Sequence, residues 1–425
     1  MNAPGKLVCL LTAGHISSTP RVIKEADALC AAGYRVHVVA GRNFAPADAL
    51  DEELRREAPW MLTRLDSLNG PGAFTRKVVQ RLARRLVNRA SSAGVRLAAR
   101  IPYAGAVAQA RLAARMRADF YLGHQLAGLP MAALAADAVG APFGFDIEDF
   151  HDGETEEAMH DPALSAATRI LQLRLLPRCR HLTAASPLIA RKYHEYYQVN
   201  PLTVLNVFPL AQAPVIPMTP EPVGPGQPAV LYWFSQTVGP KRGLEAMVAA
   251  AGLMRTPVEL QLRGNVWPDY RERLEQLARR SGLRRPVRFL PLAHPREMAR
   301  LAAHAHLGLS TEEPGAPNRD LCLANKNFVY LLAGVPQLLS STGAHRALAP
   351  DLGEAAQLID LAQPREIARQ VDEFLGDPAR QTRARAAAWR LARERYCWDL
   401  EQKKFLDSFR HALSRNHAVG AISAR

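Results

Sequence analysis

Residues 323–339, LANKNFVYLLAGVPQLL, end like a buried strand yet carry Asn325, Lys326 and Asn327 near their start, polar groups that a core normally refuses. A helix over about residues 326–333 accounts for the pattern. Asn325 would cap it, Phe328, Leu331 and Leu332 would form its apolar face, and Gly334 and Pro336 would close it. Lys326 then falls in the first turn, where the helix dipole disfavours a cation. An anion held between the ammonium and the free backbone N–H groups would remove that conflict, and a diphosphate suits it. The plainer alternative is a solvent-facing lysine at a cost of about a few tenths of a kcal/mol.

A second basic group follows the apolar run 229–234. In SQTVGPKRGLE, Gln236, Lys241 and Arg242 precede a helix expected from Leu244, so cations and N–H donors gather at a positive helix end. Phosphate is the natural guest, against a solvated basic loop. Gly14-His15, after the first strand, reads equally as a backbone approach to an anion or as a tight turn. His124 follows DFYL, and by itself a lone histidine there is more often a hydrogen-bonded structural group. In FDIEDFHDGETEE, residues 145–157, the acidic side chains with His151 could bind a divalent ion. Alternatively Glu148 or Asp149 would meet an acceptor hydroxyl as general base, and Glu156 and Glu157 would be solvated.

These residues need elements to hold them. Apolar runs 7–11 and 35–40 flank a helix that opens at Thr19-Pro20 and closes at Gly33, a βαβ unit. Strands expected at 61–65, 120–122, 143–147, 181–184 and 202–207 alternate with helices, which predicts a doubly wound parallel sheet. Residues 209–228 hold seven prolines and mark an extended connector. Beyond it the rhythm restarts, with strands at 229–234, 258–263, 287–290, 306–310, 335–340 and 355–359, followed by a mostly helical tail. The expectation is an α/β protein of two Rossmann-like domains facing a cleft: residues 1–208, a linker 209–228, residues 229–395, and a C-terminal helix and tail, 396–425.

The 425 residues exceed one ordinary core. No apolar run reaches the roughly 20 residues of a membrane helix, and the start is too short in apolar residues for a signal peptide. Five scattered cysteines, none in CxxC spacing, fit neither a disulfide framework nor a zinc site, so a cytoplasmic location is expected. The formal charge is +14, but residues 67–118 contribute eleven Lys and Arg and no Asp or Glu, leaving only +3 (14 minus 11) elsewhere. Within that segment, FTRKVVQRLARRLVNRA sets Val78, Leu82 and Leu86 at i, i+4 and i+8 among Arg81, Arg84, Arg85 and Arg89, a basic amphipathic helix. Such a segment, 75–117, could lie on an anionic membrane surface, at about 1 kcal/mol per cation, or pack ordinarily with an Arg-rich solvated face. Nucleic acid is not expected, since no aromatic lies between Arg81 and Arg89 and no recognition module is apparent.

Taken together, SSTPRVIKEADALCAAGYRVHVVAG, LTAASPLIARKYHEYY, PLTVLNVFP, LYWFSQTVGPKRGLEAM and NKNFVYLLAGVPQLLSS resemble the blocks of GT-B glycosyltransferases of family 4. The resemblance implies a nucleotide-diphosphate sugar bound mainly by the C-terminal domain, a saccharide or lipid-linked acceptor bound mainly by the N-terminal one, and a retaining reaction without metal or other cofactor. It implies that Arg242 and Lys326 neutralise the leaving diphosphate, that His124 lies beside the transferred sugar, and that helices around Trp398 return to the first domain. The chain departs from the family in one respect: Leu321 and Val329 stand where two glutamates are usual. Glu312 and Glu313 would replace them near the sugar. A sugar-nucleotide epimerase and a non-catalytic partner protein fit the same architecture.

Overall fold

The computed structural model describes residues 5–67, 69–70, 72–87, 94–154, 161–224, 226–313 and 315–414. Arg89, Glu156 and Glu157 lie outside them. The chain divides into two compact units, one of Met1–Asp152, Ala158–Val204 and Gln402–Arg425, the other of Gly153–Glu157 and Leu205–Glu401.

The first unit is built on β1 (Leu7–Leu11), β2 (Arg35–Arg42), β3 (Met61–Asp66), β4 (Phe120–His124), β5 (Phe143–Ile147), β6 (His181–Ala184) and β7 (Leu202–Thr203). They form one parallel sheet in the order β3-β2-β1-β4-β5-β6-β7. The strands β1, β4 and β5 are apolar almost throughout and buried, as helices on both faces require. Helix α1 (Pro20–Ala31) has proline at its start, and Gly33 beyond its end takes φ +89°. The run expected as strand from 202 to 207 pairs only over two residues.

The second unit repeats the plan with β8 (Ala229–Val238), β9 (Val258–Val266), β10 (Arg288–Leu290), β11 (Leu307–Ser310), β12 (Gln337–Ser340) and β13 (Ala356–Ile359), in the parallel order β10-β9-β8-β11-β12-β13. Its core joins Leu231, Trp233, Leu260, Leu309 and Leu338 from the sheet to Val248, Leu274, Val371 and Phe374 from the helices. In both sheets the chain order reverses beside the first strand, between β1 and β4 and between β8 and β11. In open α/β sheets such a reversal is where the loops at the carboxyl ends diverge and leave room for ligands.

Two further helices bear on the sequence reading. In α2 (Ala73–Val87) the inward side carries Ala73, Ala83 and Val87, whereas Phe74 is 78 % exposed and Leu82 and Leu86 are each 51 % exposed. Of the expected apolar stripe, Leu82 and Leu86 thus face out, while Val78 is half-buried. The last helix, Trp398–Ser414, brings Phe405 and Phe409 against His181, with Ser408 Oγ 3.1 Å from His181 Nδ1. Among the described residues no helix is long and apolar enough to cross a membrane.

Candidate functional site

At the reversal point of the second sheet three segments converge. The loop after β8 carries Lys241 and Arg242, the loop after β11 carries Glu312 and Glu313, and helix α3 (Asn325–Ala333) brings Lys326 in its first turn. The Glu312 carboxylate joins them. Its Oε2 accepts from Arg242 Nη1 at 2.7 Å and its Oε1 from Lys326 Nζ at 3.0 Å. Lys326 and Glu312 are buried, while Arg242 keeps 37 % of its side chain exposed. The Lys326 ammonium also lies 5.1 Å from the Trp233 ring centre, where the ring quadrupole attracts a cation. Burial pushes the Glu312 carboxyl up, but Lys326 and then Arg242 outweigh that and hold it below its ordinary value.

The backbone fixes this geometry. Thr311 Oγ1 donates to the Arg242 carbonyl at 2.7 Å, the Glu312 N–H donates to Ser340 Oγ at 2.9 Å, and the Glu313 N–H donates to the Lys241 carbonyl at 3.4 Å. Lys241 adopts φ +64° and Gly243 φ +67°. A Cβ at Gly243 would come within 2.8 Å of Leu361 and 3.0 Å of Thr311, so only glycine lets the chain enter the helix Leu244–Leu253 here. His345 closes the neighbourhood, with Nδ1 2.8 Å from the Ser340 carbonyl and burial lowering its basicity.

Two expectations are corrected here. Asn325 is the first helical residue of α3 and not its cap, a position held by Ala324 without a side-chain bond. Gln236 lies on β8 and not in the loop: the strand runs on to Val238 past a register shift, which leaves Gln236 exposed. The anion that answers the dipole conflict at Lys326 is, in this structure, the chain's own Glu312. Val329 and Leu321 are buried apolar residues, and Glu313 is half-buried.

The reversal point of the first sheet holds a different constellation. His124 ends β4 fully buried, its Nε2 3.3 Å from Glu25, its Nδ1 3.6 Å from Asp146 and 3.6 Å from Glu148. Arg21 on α1 pairs through Nε and Nη2 with both oxygens of Asp146, reaches Glu25 at 3.3 Å and donates to the Val204 carbonyl at 2.7 Å. Thr183 also donates to Asp146. Burial alone would lower the imidazole's pKa, but Glu25, then Asp146 and Glu148, raise it well above the ordinary value. Glu25 is pushed up by burial and by Asp146, and Lys24 is brought down to about 7 by burial and by Arg21.

His124 therefore sits inside the first unit as a cation among carboxylates, not at an open mouth. Glu148 is half-buried beside it, and Asp149, also half-buried, accepts from the Tyr193 hydroxyl through its carbonyl at 3.3 Å. Donor atoms of His124, Asp146 and Glu148 lie within 4.8 Å of one another, a spacing that a divalent ion could bridge. Both Asp146 oxygens, however, already accept from Arg21. His151 packs against Phe145 instead. The Gly14 N–H is held by Thr12 Oγ1 at 3.3 Å, and His15 is tied to Asp51 at 2.7 Å through Nδ1, so its Nε2 is the acceptor for the Asn43 and Phe44 N–H groups.

Sequence reasoning missed Arg21 and Glu25, whose opposite charges at i, i+4 on α1 were the available signal. It also missed Trp233, Thr311 and Ser340, which look like ordinary strand and loop residues.

No family model and no curated protein matches the chain. Solved structures do resemble it. HepE of Anabaena, in complex with UDP and glucose, superposes with a TM-score of 0.68 at 15 % identity, over 95 % of this chain and 99 % of that one. Sucrose-phosphate synthase of Thermosynechococcus elongatus gives 0.69 at 14 % identity, over 95 % and 98 %. A glycosyltransferase of Rickettsia africae gives 0.67 at 12 % identity, over 97 % and 100 %. With its two parallel sheets of seven and six strands, the chain has the GT-B fold.

Proposed function

We propose that the protein is a glycosyltransferase that moves a hexose-type sugar from a nucleotide-diphosphate donor to a saccharide or lipid-linked acceptor in polysaccharide biosynthesis, with retention and without a metal, as family 4 members do. The observation that carries this reading is the meeting of Arg242 and Lys326 on one anionic centre at the reversal point of the second sheet. A diphosphate leaving group develops negative charge as the glycosidic bond to the donor breaks. Two cations and the start of α3 stabilise that charge electrostatically, which is where most of such a rate enhancement arises. The complexes of HepE with UDP-glucose and of TarM with UDP support a nucleotide sugar as co-substrate.

In this reading residues 229–395 hold the donor through Lys241, Arg242, Glu313, Asn325 and Lys326, and residues 1–208 hold the acceptor. His124, fixed by Glu25 and Asp146, sets the floor on which Glu148 and Asp149 present carboxylates to sugar and acceptor. Helix α2, whose Phe74, Leu82 and Leu86 face outward among arginines, would rest on the anionic inner face of the membrane and bring the enzyme to a lipid-linked acceptor.

Thermal unfolding in the presence of a panel of nucleotide sugars tests the donor, since a ligand bound only by the folded state raises the midpoint. The expected result is stabilisation by one nucleotide class, lost in Lys326→Ala, followed by transfer when an acceptor is added. Nucleotide release with sugar rearrangement and no acceptor would favour the epimerase. Absence of any nucleotide binding would favour a non-catalytic partner, a reading that the apolar Val329 and Leu321 would then explain. Co-sedimentation with phosphatidylglycerol vesicles tests the surface of α2, and Leu82→Asp should abolish it.

A further inference from the structure

The cation pair of the second unit is already engaged. Glu312 offers one oxygen to Arg242 at 2.7 Å and the other to Lys326 at 3.0 Å, the arrangement that two phosphate oxygens would take. The carboxylate is held there from its own backbone, through the Glu312 N–H on Ser340 Oγ at 2.9 Å and through Thr311 on the Arg242 carbonyl. It is 7 % exposed, whereas Arg242 remains open to solvent at one side. The three groups together carry one net positive charge, and an anion that approaches meets cations whose strongest partner is a neighbouring side chain.

We propose that Glu312 is a built-in counter-ion of the phosphate cradle, competing with the ligand for Arg242 and Lys326 and so selecting diphosphates over monophosphates. This rests on the donor-site reading above. A monophosphate that displaces the carboxylate from one cation exchanges one anion for another and leaves a buried carboxylate short of a partner, which costs free energy. A diphosphate spans both cations at once and brings more charge, so its gain exceeds that cost. The same competition returns the cations to Glu312 as the product diphosphate departs.

The sign of a single substitution decides the matter. Titration calorimetry on the full chain at low salt compares wild type with Glu312→Gln, using sodium pyrophosphate and inorganic phosphate as probes. Glu312→Gln should bind pyrophosphate about tenfold more tightly, equivalent to about 1.4 kcal/mol, gain more than that for phosphate, and so lose selectivity. Its affinity should also fall more steeply with added salt. Without ligand it should melt below wild type, with pyrophosphate restoring more of the midpoint than in wild type.

A folded Glu312→Gln with unchanged or weaker pyrophosphate affinity overturns the proposal, because Glu312 would then assist the cradle. If that variant does not fold, Glu312→Asp, whose shorter side chain cannot span both cations, should bind more tightly than wild type, and equal or weaker binding overturns the proposal equally. A panel of nucleoside diphosphates separates the two levels. Wild type that binds one of them, with no gain in Glu312→Gln, defeats this inference alone. Binding of no phosphate ligand by either protein defeats the donor-site reading and this inference together.

Discussion

Both sheets reverse their strand order beside the first strand, and charged side chains gather at each reversal, but the two gatherings are balanced differently. In the first unit Arg21 and His124 are wholly buried among Glu25, Asp146 and Glu148, so each charge finds its counter-charge inside the unit. In the second, two cations share the single carboxylate of Glu312 and one of them reaches solvent. Topology reverses the strand order in both places, and the balance of charge tells them apart. Some backbone strain lies at the same reversals. Among the described residues, two of the four non-glycine residues with positive φ are Gln125, directly after β4, and Lys241, in the loop after β8, and such strain persists only where its surroundings enforce it.

The contrast can be broken from either side. The largest effect is expected in the first unit: Arg21→Met leaves Asp146 and Glu25 without their main cation and should destabilise by about 3–5 kcal/mol, measured by urea unfolding. In the second unit Lys326→Ala should lower kcat by about 100-fold or more with a smaller loss of stability, because Glu312 retains Arg242; a stability loss as large as that of Arg21→Met would erase the distinction.

His124→Gln should cost about 1–3 kcal/mol, and the cost should depend on pH. The folded-state imidazole is held above its ordinary value of 6.5, so its stabilisation is complete below that value and fades as pH rises through the elevated one. The difference in melting midpoint between wild type and variant should therefore be widest near pH 6 and narrow towards alkaline pH. Glu312 has the opposite sign: its lowered pKa makes its contribution complete above the ordinary 4.5 and lost as pH falls through the depressed value. The smallest effect is expected for exposed Gln236→Ala, below about 0.5 kcal/mol in stability by thermal melting, and without loss of nucleotide binding.

Much of the fold was legible because its signals are local. All thirteen strands of the two sheets overlap apolar runs set between turn residues, and Pro20, Gly33 and Gly334 stand at helix ends where propensity places them. The strand ends were less legible: β8 runs four residues past its apolar run because backbone pairing with β9 continues across a register shift. Of the candidate sites, the types and rough positions of Arg242, Lys326, His124 and Glu148 could be read. Their partners could not, since Arg21 meets Asp146 across 125 positions and Val204 across 183.

Helix α2 shows the same limit, as its apolar spacing was visible while the direction in which that stripe points depended on which face its neighbours accept. Periodicity and turn chemistry, which act between near neighbours in the chain, determined the elements, their alternation and hence the two-sheet α/β architecture. Which charge neutralises which was decided only when distant loops met at the reversal points, because electrostatic pairing depends on separation in space and on burial, and neither is written in the spacing of residues along a chain.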